Sequence, residues 1–565
     1  EGLEEATERL HVAEAVELQE ETEEVSVKKG YLTQKEAKRA EIEGLIQMGV
    51  MEDVDLESLK QAGIKPISCR YVLTERSYVG SGLHKARYVA RGFEELEDED
   101  GRKNYASTSC SASARILISR VMASQLDVTS PKWTMRMADV KQAFLYADVD
   151  EDIYVQAPEE YFEIKNLNPD RKVAWKLKKA LYGLRGSPAL WQITLSKVLQ
   201  DLGFESDLHD AATYVGPGGV MIVSHVDDLL IGGVQDEVDK VIQGLKDAFE
   251  LVVENVLDGK MHKCLGRNLQ WKGPGIMEFG IGADYVDASS RELGIESKYE
   301  TTRFPTWLKE KDEDEEFELD QSGQSKYRSY VGKLVWLDRL DLKPVTHHLG
   351  TKLGAATSRD LENAKRVWGY VMGTKFRVQS VYPIHLNIQK GPVNGGVVVM
   401  TDSDWAGSEA GGRRSLTGLM IWMKYGGHFW PIQGTTKRQT VVAQSSAEAE
   451  LSAMVAGATE ATGTLSLIRR MLRLEGELGD TNETLLSILG DSSAALATAR
   501  KRGSNRKMRH IEVRSMWLQH LLRTPGVTSD KVSGVSNWAD VLTKSGSWTK
   551  AHYDAIGLKL HTPAD

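Results

Sequence analysis

The sequence predicts an α+β chain of several domains, the last of them an α/β domain. Two observations carry that prediction. Strand-like runs rich in Val, Ile and Leu alternate with segments whose apolar residues recur at helical spacing. Several of those runs deliver one or two isolated acids, which an ordinary core strand would not tolerate. At 565 residues and 41% hydrophobic content, the chain is long enough for roughly two to four domains with cores of their own.

Composition narrows the class. Cys69, Cys110 and Cys264 lie far apart without CxxC spacing, so neither a zinc site nor a disulfide framework is indicated, and a reducing compartment fits. No apolar stretch reaches membrane-spanning length, and no signal peptide is visible. The first residue is Glu rather than Met, as expected of a fragment or a processed piece. The net charge of −10 argues at first against a nucleic-acid partner. Residues 1–25, however, hold ten Glu and one Arg, and residues 309–320 hold eight acids and two Lys. Outside these two solvated stretches the chain is mildly basic, with clusters at 85–91, 171–185 and 500–514.

In chain order, residues 1–33 form an acidic lead, and 34–50 have the apolar spacing of an amphipathic helix. Residues 66–73 and 86–90 read as two strands around a Gly-bearing turn. Alternation puts Lys85 and Arg87 on one face of the second, as a phosphate clamp or a solvated basic face. Residues 113–125 read as a helix, and 133–144 as a strand with Asp139 towards its end. Residues 176–191 run through a Gly-rich basic turn, with Gly183, Arg185 and Gly186, into a helix. Small residues there would let a nucleotide or template strand approach the backbone. In 221–233, Asp227 and Asp228 interrupt aliphatic residues, which reads as a β-hairpin with acids at its tip. An exposed Asp-Asp turn is the plainer reading of the dipeptide alone. If Asp139 lies on a neighbouring strand, the carboxylates could share metal ions about 3.5–4 Å apart, a site suited to Mg²⁺.

Taken in order, residues 139–144, 181–191 and 225–228 resemble the reverse transcriptase of copia-type LTR retrotransposon Pol polyproteins. Residues 85–93, 153–158 and 327–334 are similar to further motifs of that family, so the likeness runs from about residue 41 through nearly the whole chain. The resemblance implies a right-hand polymerase with fingers, palm and thumb or connection. It assigns Asp139, Asp227 and Asp228 as catalytic and metal-binding acids, and Phe144 as the aromatic that excludes a nucleotide 2′-hydroxyl. The family usually has Tyr where this chain has His225, Gln at Gly186 and Trp at Tyr71.

A second acidic site follows. Residues 395–402 form another apolar run ending on Asp402, and 402–407 resemble the opening of the retroelement ribonuclease H. Ser445 and Glu448 have capping-box spacing, which makes Glu448 the cap and leaves Glu450 as the ligand, as the family match also favours. Residues 485–491 end on Asp491, and 536–540 place Asp540 at the start of a closing helix. An integrase-type acidic triad would leave the fourth acid unexplained. The basic stretch with Arg506, Lys507, Arg509 and His510 reads as a nucleic-acid contact or as a solvated helix face.

The expectation is therefore an acidic lead over 1–33, fingers and palm over 34–275, thumb and connection over 276–394, a ribonuclease H-like domain over 395–548 and a tail over 549–565. The resemblance implies an RNA-directed DNA polymerase with ribonuclease H activity and Mg²⁺ or Mn²⁺ as cofactor. Its partners would be an RNA template, a DNA primer, the RNA–DNA hybrid, deoxynucleoside triphosphates and element-encoded proteins such as integrase and capsid, with no membrane. The location would be cytoplasmic, in virus-like particles, or nuclear. Two alternatives stand beside it: a decayed or domesticated copy that only binds nucleic acid, and a ribonuclease H with an inert polymerase domain.

Overall fold

The computed structural model describes residues 33–75, 84–95, 105–129, 131–168, 172–302, 316–388, 391–406, 412–473, 483–501, 512–544 and 549–560. The chain divides into two units, one of Glu1–Ser107, Val140–Asp201 and Ala248–Glu250, the other of Thr108–Asp139, Leu202–Asp247 and Leu251–Asp565.

In the first unit, Thr33 and Glu36 form a capping box that starts the helix Gln34–Gln47. Its Ile42 and Leu45 are buried with Tyr88, Val155, Trp175 and Leu181 in one core. The strands Cys69–Glu75 and His84–Ala90 pair antiparallel. Ala86, Tyr88 and Ala90 point inward, leaving Lys85 and Arg87 exposed on the other face, as the alternation predicts. A three-stranded sheet places Val173–Leu177 between Met51–Asp55 and Tyr154–Gln156.

The second unit holds three sheets. The first has six strands in the order Leu251–Asn255, Trp133–Val140, Asp228–Val234, Met221–His225, Thr213–Val215 and Glu205–Ser206. Gly232 lies inside its strand rather than at the end, and a Cβ there would come within 2.5 Å of Leu117 Cδ1. The glycine thus lets the helix Ser111–Leu126 lie against the sheet.

The second sheet orders Met261–Cys264, Arg267–Gly273, Ile276–Gly280, Arg377–Val381 and Leu558–Leu560. Its last strand corrects the expected tail over 549–565. Within it, residues 549–560 form a capped helix, Lys550–Ala555, and a strand paired with Arg377–Val381. The helices Ala283–Leu293, Gln321–Trp336, Lys343–Gly350 and Ser358–Gly373 belong to the same region, and their buried faces share a core around Tyr327, Tyr330 and Trp368.

The third sheet orders His428–Arg438, Leu416–Tyr425, Val397–Asp404, Leu486–Gly490 and Val527–Lys531. Its first three strands are antiparallel, and the last two join parallel. The helix Ser446–Met471 crosses it, with Gly457 set so close that a Cβ would lie 2.5 Å from Thr401 Cγ2. The molecule thus combines an α+β architecture in its earlier sheets with an α/β arrangement in the third, where helices pack on a mixed sheet. One apolar core runs from Leu117 and Val121 through Met221 and Val223 to Val399, Ile421 and Met454. No helix among the described residues is long and apolar enough to cross a membrane.

Candidate metal centres

The first acidic centre is built by strand register. Asp139 lies directly opposite Asp228 in the antiparallel ladder, and Asp228 in turn faces His225 across the hairpin. Only Val226 and Asp227 separate the two hairpin strands, and Val226 turns the chain with a φ of +57°. That conformation is costly for a β-branched residue, so surrounding structure must hold it. The turn swings Asp227 back beside its neighbour. Carboxylate oxygens of Asp139, Asp227 and Asp228 all lie within 4.8 Å of one another. Adjacent residues of a strand face opposite ways, so the turn is what allows Asp227 and Asp228 to converge.

Asp228 also accepts a hydrogen bond from the backbone N–H of Leu265, at 3.1 Å, from the turn before Arg267–Gly273. Burial, with the charges of Asp227 and Asp139, pushes its carboxyl up to about 6. The Leu265 bond pulls the other way and is outweighed. Three converging oxygens whose charges repel are a donor set that suits a hard divalent cation.

The second centre gathers Asp402, Asp491 and Asp540, again within 4.8 Å. Asp402 is buried two residues before the end of the central strand, and Asp491 follows the strand beside it. Asp540 begins a short 3₁₀ turn, Asp540–Leu542, which corrects the expectation that it starts the closing helix. Glu450, on the long helix, stands outside that group of mutually close oxygens but near enough to feel the charges of Asp402 and Asp491, and the Ser403 N–H donates to it at 3.3 Å. Burial, then Asp402 and Asp491, push its carboxyl up to about 8. Burial likewise raises Asp402, against a hydrogen bond from the Thr543 hydroxyl. Glu448 faces elsewhere: it accepts from the Gln444 N–H at 2.9 Å, while its own N–H donates to Ser445 Oγ at 3.3 Å.

Residues 55–294 match the family model "Reverse transcriptase (RNA-dependent DNA polymerase)". This segment is a reverse transcriptase domain. Over most of its length the chain is related to copia-type Pol polyproteins. It is 26% identical to the Retrovirus-related Pol polyprotein from transposon RE1 of Arabidopsis thaliana, over 86% of this chain and 31% of that protein. It is also 26% identical to the corresponding polyprotein from transposon TNT 1-94 of Nicotiana tabacum, over 90% of this chain and 36% of that one. The chain thus spans about a third of the length of these relatives. Among solved structures, it is similar to a foamy viral protease-reverse transcriptase in complex with RNA/DNA hybrid, at 13% identity and a TM-score of 0.43, covering 92% of this chain and 56% of that one.

In the reverse transcriptase domain, Phe144 sits on the 3₁₀ turn Ala143–Tyr146, its ring centroid 5.5 Å from that of Tyr182. The Arg87 guanidinium lies 5.4 Å from the same Tyr182 ring, so these three side chains form one cluster. Gly183 has a packing reason that sequence reasoning missed. Its φ is +88°, and a Cβ would come within 2.2 Å of the Ala90 carbonyl oxygen. The space at Gly183 is therefore taken by the chain's own backbone, not left for a template. The Arg185 N–H donates to Glu95 at 2.9 Å, and the Gly186 carbonyl accepts from Leu190 at the start of the helix Ser187–Asp201. Arg506, Lys507, Arg509 and His510 lie outside the described residues.

Sequence reasoning also missed Leu265, Thr543 and Lys544. Lys544 Nζ is 2.6 Å from Asp540. Its i+4 spacing from Asp540 was a usable signal, whereas nothing local to Leu265 points at Asp228.

Proposed function

We propose that the chain is an RNA-directed DNA polymerase with ribonuclease H activity, working at two separate pairs of divalent metal ions. The observation that carries this reading is the pair of carboxylate clusters on two different sheets, each with a carboxyl beside it or within it pushed up by burial and then by its acidic neighbours. Asp139, Asp227 and Asp228 would hold one pair of Mg²⁺ or Mn²⁺ ions, and Asp402, Glu450, Asp491 and Asp540 the other. Bound metal supplies activation of the attacking oxygen and neutralises charge on the leaving one.

The protein's own groups do the rest. The Val226 turn and the Leu265 N–H fix the polymerase acids before substrate arrives. Phe144 excludes the 2′-hydroxyl of an incoming nucleotide, and Lys85 and Arg87 meet its phosphates or the template. Gly183, Arg185 and Gly186 shape the backbone beside Phe144 and Tyr182. In the nuclease, Ser403 N–H orients Glu450 and Thr543 orients Asp402. Arg506, Lys507, Arg509 and His510 contact the hybrid. Fingers and palm over 34–275, connection over 276–394 and ribonuclease H over 395–548 would act in turn on an RNA template, a DNA primer, deoxynucleoside triphosphates and the hybrid they form. Integrase and capsid from the same element are further partners, and the setting is the cytoplasm, virus-like particles or the nucleus.

Primer extension on an RNA template with Mg²⁺, with hybrid cleavage scored in the same tube, tests the reading. Asp227→Asn should abolish extension and spare cleavage. Cleavage without extension by the wild type, even with Mn²⁺, would favour a second reading, a nuclease with an inert polymerase, which His225 beside the acids supports. Neither activity from folded protein would leave a decayed copy that only binds nucleic acid.

A further inference from the structure

Two histidines face each other across a short antiparallel contact at the hairpin end of the third sheet. Tyr382, Ile384 and Leu386 are buried, so alternation leaves His385 on the outer side of that extended segment, where it is exposed. Ile384 and Phe429 exchange both backbone hydrogen bonds, at 2.8 and 3.1 Å. The next pair along such a ladder is non-hydrogen-bonded, with Cα atoms about 4.5 Å apart and side chains on one face, and here that pair is His385 with His428. His428 also directly follows the Gly426-Gly427 turn between Leu416–Tyr425 and His428–Arg438, where a Cβ on either glycine would meet nothing within 4 Å. Space for a ligand and its waters is therefore open beside this ring.

The ring centroids of His385 and His428 are 5.2 Å apart, with an interplanar angle of 59°. Two imidazoles that share one tetrahedral ion, each nitrogen about 2.05 Å from it, have centroids about 3.2 Å from the ion and about 5.2 Å from each other. The observed spacing is the one a shared ion requires. Among the described residues, nothing hydrogen-bonds or ion-pairs with either ring. On His428, Nδ1 is enclosed without a partner while Nε2 is not, which leaves Nε2 as the nitrogen free to ligate. Burial and then His385 hold the His428 ring below the usual imidazole range, so near neutral pH it carries no charge to repel a cation.

We propose that His385 and His428 form a binding site for a divalent transition-metal ion of the zinc, nickel or copper class, with water in its remaining positions. Neutral imidazole suits these ions, whereas Mg²⁺ prefers the oxygens of the acidic centres. The site is separate from the second centre. Tyr425 and Gly418, the strand partners of His428 and Asp402, lie seven residues apart, roughly 24 Å at 3.4 Å per residue. A bound ion would staple the segment 382–386 to the hairpin tip, adding two coordinate bonds to a junction held by the Ile384–Phe429 backbone pair and apolar packing. This binding depends on neither of the two activities proposed above.

The test is a Cu²⁺ titration of the tag-free full chain in a large excess of Mg²⁺, which keeps the acidic centres occupied, read by electron paramagnetic resonance. The first equivalent of copper should show the nitrogen couplings of two equatorial imidazoles. His385→Gln, at an exposed position, should lower the count to one and weaken binding at least tenfold, and His428→Gln should do the same. Zn²⁺ in the same buffer should raise the Tm of wild type and leave that of either variant in place. A first equivalent bound without two imidazoles would overturn the proposal. So would an unchanged two-imidazole signal in folded His385→Gln, or a Zn²⁺ shift no larger in wild type than in the variants. If His428→Gln does not fold, His385→Gln alone decides.

Discussion

Glu450→Gln isolates the electrostatic repulsion held in the second acidic centre. The Glu450 carboxyl is pushed from 4.5 up to about 8 by burial and by Asp402 and Asp491. In the folded chain it therefore keeps a proton that the unfolded chain has already released. Its stabilising contribution is complete below about pH 4.5 and is lost as pH climbs through about 8. Taken whole, that displacement is worth roughly 5 kcal/mol. Water screens the half-buried carboxylate and the neighbouring acids share the repulsion, which cuts the figure to about 1–2 kcal/mol. Gln keeps an oxygen for the Ser403 N–H, so only the charge is removed. In EDTA at pH 8 the variant should melt about 1–2 °C above wild type, as expected for a large unit that unfolds around one shared core. At pH 5 the two should nearly coincide. Mg²⁺ at pH 8 should raise the wild-type Tm more than the variant's, and hybrid cleavage should be lost. Thermal unfolding of the full chain at both pH values is the assay. A variant that melts no higher at pH 8, or higher by the same margin at pH 5, would refute the electrostatic account.

Three further outcomes are expected. Gly183→Ala combines a left-handed backbone with a clash on the Ala90 carbonyl. It should cost about 3 kcal/mol or more, read as a lower urea midpoint for the first unit. Burial works against ionised Asp338, but Arg115, Lys343 and Arg267 overcome it and hold the carboxyl well below its usual range. Asp338→Asn should therefore cost roughly 3 kcal/mol at pH 7, measured by chemical denaturation, and the difference should fade only under strongly acidic conditions. Phe144→Ala should raise ribonucleotide incorporation about tenfold or more relative to deoxynucleotides in primer extension, with hybrid cleavage unchanged.

Much of the site was legible because a lone acid in an apolar run is a local signal. Asp139, Asp227, Asp228, Asp402 and Asp491 all announce themselves in this way, and the capping spacing at Ser445 separates Glu448 from Glu450. What was not legible depends on pairings between distant segments. The register that sets Asp139 opposite Asp228 cannot be read from either strand alone. The Leu265 N–H reaches Asp228 from a turn whose residues carry no chemistry of their own. A helix was expected over 113–125 and is found over Ser111–Leu126, yet its polar residues gave no sign that Arg115 and Arg120 would be buried. Gly183 was read as room for a ligand because glycine says only that something comes close, not what. Residues 549–560 looked like a tail because a three-residue strand has too little periodicity to stand out.

That short strand bears on how the protein is made. Strand Arg377–Val381 leaves the ribosome about 180 residues before its partner Leu558–Leu560. At roughly 5–20 residues per second, its edge stays uncovered for about 10–35 s during synthesis. An unpaired edge invites pairing with other nascent chains. Translation that stalls or stops short of residue 558 would leave this edge permanently open, so prematurely terminated products should depend on chaperones far more than the full chain does.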